Sequence, residues 1–282
     1  MKGIIHMMFK IVADSSSDVL SLTDVPFASV PLTIRAGEKI FVDDAACDAA
    51  AMTEYMLSYK GKSSTACPAT QDWTDAFGDA ENVFCVTLTS NLSGSYNSAR
   101  VAAEEYMEAH PGRKVHVVDT LSAGPELRLV VEKLQELILA GCSFEEIVSE
   151  IEAYHKRSYL VFSLQSLHNF VANGRVSPAV GALVGLLGIR VVGRASDVGT
   201  LEQLSKCRGE KKGIAVVIDY MKEYGYAGGK VRIGHSLNEA AAEKIAELIR
   251  TEYADADIKL FGLRGLASFY AEKGGVLMGF EK

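Results

Sequence analysis

The side chains with the most chemical promise in this chain are hydroxyls that follow short apolar runs. Ser15 and Ser16 follow Phe9 to Ala13, Ser93 and Ser95 follow Val83 to Leu88, and Thr65 stands in a similar turn. A hydroxyl between a strand and a helix can cap that helix, because its oxygen accepts from an unpaired backbone N–H. Each one taken alone reads as a cap. Gathered on one sheet edge, three such turns make a neutral, donor-rich pocket suited to a carboxylate or a phosphate, since ligands of open parallel sheets bind beyond the carboxyl ends of the strands. With no general base or metal set beside them, the pocket is expected to hold a ligand rather than transform it.

Other chemistries fail on spacing. Gly61-Lys62-Ser63 resembles the end of a phosphate-binding loop, but the motif requires Gly where this chain has Met56. No G-x-G-x-x-G follows a strand. Gly234-His235-Ser236-Leu237-Asn238 comes near the nucleophile elbow of the α/β-hydrolases, yet His6, His110, His116, His155, His168 and His235 all precede Ser236. Ser236 and Asn238 are therefore read as caps at a helix start, and His235 as a strand-end residue. No two histidines are spaced to share a helix face, which leaves no metal motif. The densest basic run, Lys206 to Lys212, reads as a solvated loop and helix start, or as a docking patch for an anionic group or acidic partner.

The chain has 282 residues, 48% hydrophobic and 23% charged, enough apolar material for one large or two moderate domains. Its 36 acidic and 29 basic side chains give a net charge of −7, which argues against nucleic-acid binding. Cys47, Cys67, Cys85, Cys142 and Cys207 form an odd set without a C-x-x-C pair, and are expected to be reduced thiols of a cytoplasmic protein. Met1 to Lys10 lacks the apolar core of a secretory leader. Val176 to Ile189 is the longest uncharged apolar stretch, too short and too rich in Gly and Pro to span a bilayer, so no stable membrane insertion is expected.

The elements expected to position the hydroxyls alternate as α/β: strands over Phe9–Ala13, Val83–Leu88 and Val115–Val118, and helices over Ser95–Ala109 and Glu126–Leu139. Ser143 and Glu146 have the spacing of a capping box that opens a further helix to about Lys156. After Arg157 the texture changes, and a second domain is expected. It begins with the apolar run Tyr159–Leu164 and a turn-rich segment through Gly199. Helices over Glu210–Tyr224 and Leu237–Glu252 then alternate with strands near Val231–Gly234, Ile258–Phe261 and Val276–Phe280.

Four blocks of sequence resemble the DegV family of fatty-acid-binding proteins. Ala13-Asp14-Ser15-Ser16-Ser17-Asp18 is similar to the family's T-D-S-T-A-D, and Ser64-Thr65-Ala66-Cys67-Pro68-Ala69 to its T-S-Q-P-S block. Leu92-Ser93-Gly94-Ser95-Tyr96-Asn97-Ser98-Ala99 is similar to L-S-G-T-Y-Q-S-A. Asn173-Gly174-Arg175-Val176-Ser177 with Leu187-Gly188-Ile189-Arg190 is similar to G-G-R-I-S…L-x-I-K-P. The resemblance implies an α/β fold of two domains, a parallel-sheet α/β/α sandwich over residues 1–156 and a two-layer α/β unit with a mixed sheet over 157–282. It also implies one long-chain fatty acid buried between them, no cofactor, and a fatty-acid kinase as partner.

By the same resemblance Thr65 and Ser93 hold the carboxylate, Ser95 and Ser16 assist, and Arg175 orients the network or balances charge. Arg208, Lys211 and Lys212 become candidates for kinase docking, and Val176–Ile189 is either a tunnel wall or an ordinary buried helix. The chain departs from the family near its C-terminus, where the G-T-H-T-G-P-G block is replaced by Gly265 to Gly275 and Tyr270 stands opposite the family's His. A Tyr hydroxyl donates to a carboxylate but adds no positive charge. Ala66 and Cys67 also replace a Ser and a Gln of the T-S-Q-P-S block. Two alternatives stay open: an acyl-handling enzyme with Ser93 or Cys67 as nucleophile, and a carrier of another amphiphile.

Overall fold

The computed structural model describes residues 9–177 and 188–282. Most of the Val176–Ile189 stretch, residues 178–187, lies outside the described residues, as does the segment 1–8. Four strands, β1 (Phe9–Asp14), β2 (Phe27–Val30), β6 (Asn82–Thr87) and β7 (Lys114–Asp119), pair in parallel in the order β2-β1-β6-β7. Side chains alternate across a strand, so one apolar run feeds two cores. Val12, Val83 and Cys85 face Trp73, Phe77, Ala99 and Tyr106 of helices α2 (Thr70–Phe77) and α3 (Ser95–Ala109). Ile11, Ala13, Phe84 and Val86 face the opposite layer, helices α4 (Pro125–Ala140) and α5 (Phe144–His155). The result is the α/β/α sandwich that the family resemblance implies.

A second sheet has six strands in the order β10-β9-β8-β13-β11-β12. Its members are β8 (Ser158–Leu164), β9 (Ile189–Ala195), β10 (Leu201–Arg208), β11 (Lys230–His235), β12 (Asp257–Gly262) and β13 (Val276–Glu281). Only β11 and β12 pair in parallel, and the others are antiparallel. Helices α7 (Glu210–Glu223) and α8 (Glu239–Glu252) cover one face, burying Val217, Tyr220, Ile245 and Ile249 against Val161, Val231 and Ile233.

The other face of this mixed sheet meets α4, which packs between the two sheets. Pro at the first helical turn and Gly141 in the left-handed conformation at its end delimit this helix. Its buried residues include the consecutive Leu129, Val130 and Val131, the mark of a helix covered on more than one side. Toward the first sheet its contacts are aliphatic. Toward the second they are charged: the buried Arg232 guanidinium donates from Nε to Glu132 Oε2 and from Nη2 to Asp257 Oδ2, both at 2.8 Å. Such a pair holds two elements in one register, because breaking it leaves an uncompensated buried charge.

Several elements differ from the expected ones. A three-stranded antiparallel sheet, β4-β3-β5, forms from β3 (Thr33–Ala36), β4 (Lys39–Val42) and β5 (Ser63–Ala66). Each strand has four residues and β4 is largely exposed, so no apolar alternation announces them. The turn-rich segment through Gly199 is the hairpin of β9 and β10, and Lys206 to Arg208 lie on β10 rather than in a loop. Helix α8 begins at Glu239, not Leu237, because Leu237 adopts a left-handed φ of 50°. Asn238 takes the N-cap position without capping through its side chain, which instead donates to Glu210 and to the Gly274 carbonyl. Ser236 Oγ is buried without a hydrogen-bond partner, so it caps nothing. Two short helices, α1 (Ala49–Ser58) and α9 (Gly265–Ala271), the single turn α6 (His168–Ala172) and a 3-10 turn over Ser15–Ser17 complete the described elements.

Gly279 on β13 reports directly on the α4 interface. A Cβ there would lie 2.7 Å from Glu126 N and from the Pro125 carbonyl carbon, both backbone atoms. Gly279→Ala is expected to destabilise the fold by about 1–3 kcal/mol through overpacking. Denaturant titration should show a lower midpoint at an unchanged slope; an unchanged midpoint would mean that α4 is not seated tightly on β13.

Candidate ligand-binding cavity

A cavity of roughly 300 Å³ lies between the carboxyl edge of the parallel sheet and the mixed sheet. Its place follows from topology. Strand order reverses between β1 and β6, so the turns after them diverge and leave a crevice, the usual binding position of an open α/β sheet. Ser16, Leu88 and Ser93 line it from those turns, and Leu121 to Gly124 from the turn after β7. The facing wall is apolar. Leu160, Phe162 and Leu164 alternate along β8 toward the cavity, joined by Leu201 of β10 and Leu277 of β13.

Polar groups gather where β5, α9 and the turn before α3 meet. Thr65 Oγ1 lies 2.9 Å from the Tyr270 hydroxyl, and both line the cavity beside Ser93. Burial pushes the Tyr270 phenol above its ordinary range, opposed by the Thr65 hydrogen bond and the Arg175 charge, so it remains a neutral donor. Its ring packs on Phe170 of α6 at 4.7 Å between centroids. Ser93 Oγ accepts from the Ser95 amide at 3.2 Å, which leaves its proton free to donate. Arg175 lines the same region, donating from Nε to the Leu92 carbonyl at 3.2 Å and from Nη1 to the Asn173 carbonyl.

Tyr270 is brought here by carboxylates that the sequence reading leaves unassigned. Helix α9 belongs to the C-terminal part of the chain, yet Leu266 and Phe269 enter the core beneath the parallel sheet. Its amino end is buried, and unpaired N–H groups there would be costly. Asp43 accepts from Gly265 N at 2.8 Å and Leu266 N at 2.9 Å, and Asp18 accepts from Arg264 N at 2.7 Å. A third carboxylate, Asp14, sits at the end of β1 and accepts from the Ser16 and Ser95 hydroxyls. This corrects the expectation that no possible base lies beside the hydroxyls. It also separates them: Ser16 lines the cavity, whereas Ser95 is not among the lining residues and is spent on Asp14. The available signal was an acidic residue closing an otherwise apolar strand.

The β9–β10 hairpin also borders the cavity, through Gly199, Thr200 and Leu201. Its tip is tied to the turn after β6 by Asn91 Nδ2 donating to the Val198 carbonyl at 2.6 Å and Thr89 Oγ1 donating to the Gly199 carbonyl at 2.8 Å. Gly199 is required, since it has φ +74° and a Cβ would meet Thr89 Oγ1 at 2.2 Å and Leu121 Cα at 3.0 Å. Arg208 lies at the opposite end of β10 from the cavity-lining Leu201. Lys206, two residues before it, is aligned through Val191 with the cavity-lining Leu164, and Lys211 and Lys212 follow at the start of α7. Cys67 is an exposed free thiol at the cavity rim, and no histidine is among the described residues that line the cavity. Among the described residues, no three His, Cys, Asp or Glu side chains are grouped to hold a metal ion, and no helix is long and apolar enough to cross a membrane.

Comparison with known proteins agrees with this architecture. A family model described as "Uncharacterised protein, DegV family" matches residues 8–281. A DegV domain-containing protein of Streptococcus pneumoniae is 47% identical over 279 residues, covering 98% of this chain and 99% of the relative. Among solved structures, the Streptococcus pneumoniae fatty acid kinase (Fak) B3 protein loaded with linoleic acid matches with a TM-score of 0.95 at 47% identity, over 98% of this chain and 99% of that one. A DegV family protein from Eubacterium eligens loaded with heptadecanoic acid also matches at 0.95, with 44% identity over 97% and 99% of the two chains.

The buried carboxylates give a test by pH. Burial pushes Asp18 up to about 7, against the Arg264 N–H bond, and the nearby Asp43 charge adds to the rise. Between its ordinary value of 3.8 and about 7 the folded chain therefore binds more protons at this site than the unfolded chain. Stability from this group is present at low pH and is lost as pH rises through that window. Asp18→Asn keeps the acceptor for Arg264 N and suits the left-handed φ of 57° at this position. In denaturant midpoints measured at pH 4, 6 and 8, the variant is expected to gain on the parent as pH rises. A constant difference would show that Asp18 is not held protonated.

Proposed function

The chain belongs to the DegV family, and from that premise we propose that it is a non-catalytic, cytoplasmic carrier of a long-chain fatty acid. The observation that carries this reading is the cavity itself: leucine and phenylalanine walls that end on a cluster of neutral hydroxyl donors. Burial of an acyl chain is worth about 0.8 kcal/mol per CH₂ before association costs, so the walls supply affinity. The hydroxyls supply polarity at one end. Thr65 and Ser93 donate to the carboxylate, Tyr270 donates to Thr65, Arg175 balances the charge, and Ser16 and Ser95 assist from behind through Asp14. The bound fatty acids of the pneumococcal and Eubacterium eligens structures support the same ligand class.

The name of the pneumococcal structure, a fatty acid kinase B3 protein, supports a kinase as the partner that receives the presented carboxylate. Within this reading the chain divides at residue 157 into two domains with the ligand between them. All six strands of the mixed sheet follow that point, and the parallel sheet precedes it. Arg208, at the end of β10, and Lys211 and Lys212, at the start of α7, are the candidate docking residues for that partner. The absence of a histidine from the described cavity lining supports holding over acyl transfer by Ser93 or Cys67.

Titration of delipidated protein with linoleic acid tests the assignment. Thr65→Val is expected to weaken binding about tenfold, the effect of one hydrogen bond to a charged group, and Tyr270→Phe about threefold, since it acts through Thr65. Affinity unchanged in both would place the carboxylate elsewhere.

A further inference from the structure

The turn that carries Ser93 is closed at both ends on a single carboxylate. Asp14 Oδ2 accepts from Leu88 N at 2.9 Å, where the chain leaves β6, and from Ser95 Oγ at 2.7 Å, where α3 begins. Its Oδ1 accepts from the Ser16 amide at 3.2 Å and from the Ser16 hydroxyl. The side chain is wholly buried and is not among the cavity-lining residues, from which it is separated by one hydroxyl, that of Ser16. Within the closed turn the Ser95 amide donates to Ser93 Oγ at 3.2 Å. A hydroxyl carries one proton, and those of Ser16 and Ser95 are directed at Asp14. Ser93 is thus the hydroxyl of this turn with a proton left for the cavity.

We propose that Asp14 is the positioning residue of the head-group site: by tying Leu88 to Ser95 it fixes Ser93 as a donor toward the ligand and sets a preference for an acid over a neutral head group. The proposal rests on the fatty-acid reading above and names the residue behind its selectivity. Asp14 touches no ligand atom. Its effect passes through the turn, so its loss should weaken recognition of the head group and leave the acyl walls intact. Charge alone predicts the opposite sign, since removing a nearby negative charge favours an anionic ligand. A loss confined to the acid therefore isolates positioning.

Delipidated parent, Asp14→Asn and Ser95→Ala proteins would be titrated with linoleic acid and with linoleyl alcohol. Asn turns an NH2 group toward the amide of either Leu88 or Ser16, so the clamp is loosened whichever way it lies, and Asp14→Asn is expected to lose about tenfold for the acid while the alcohol stays within about twofold. Ser95→Ala cuts only one tie and is expected to lose about threefold for the acid alone, which decides the matter if Asp14→Asn does not fold. Equal losses for both ligands, or no loss for either, overturn the positioning role. A parent protein that binds the alcohol as well as the acid also overturns it, and a parent that binds neither overturns the carrier reading as well.

Discussion

The site depends on where helix α9 sits, and two buried carboxylates fix that. A seven-residue helix has no stability of its own. Asp43 and Asp18, from the turns after β4 and β1, accept the N–H groups at its amino end, and Leu266 and Phe269 fill the core below. The burial of Asp18 and Asp43 opposes their ionisation, so this capture works against desolvation and depends on those backbone donors. Its consequence is local and chemical: Tyr270, six residues after Arg264, arrives within hydrogen-bond distance of Thr65, a residue two hundred and five positions earlier.

The cavity follows from a second constraint, the sharing of α4. One helix packs against the parallel sheet through aliphatic side chains and against β11 and β13 through Glu132 and the main chain around Glu126. It fills the space between the sheets on that side. Helix α4 still touches β8, but Leu160, Phe162 and Leu164 line the cavity opposite the turns of the parallel sheet. The Gly199 tip then bridges the gap with two hydrogen bonds to carbonyls. A long apolar ligand thus occupies a space that the packing of α4 leaves unfilled.

Much of this was legible in the sequence where signals were local. Helices α3, α4 and α5 fall within a residue of their expected limits, because Ser143 and Glu146 form their capping box and Leu127 to Ile138 keep a helical period. Ser16 and Ser93 converge on one cavity from turns of the parallel sheet, as the rule for its edges implies, whereas Thr65 reaches it from β5 of the antiparallel sheet rather than from a turn. What stayed hidden was non-local. Asp14 and Asp18 look like ordinary turn residues until β6 and α9 are placed against them, and Ser95 changes from a ligand candidate to a partner of Asp14 once distances are known. Helix α9 and the β3–β5 sheet are too short to show a period, and Leu237 breaks a helical pattern through a backbone angle that its side chain does not advertise.

The central claim is that the cavity holds a fatty acid in the native protein. It is tested most directly by purifying the chain from cells without detergent, extracting it with organic solvent, and identifying bound lipid by mass spectrometry. One fatty acid per chain, at near-stoichiometric occupancy, is the result the account predicts. An extract without fatty acid, from a protein that stays empty on incubation with linoleic acid, would contradict it.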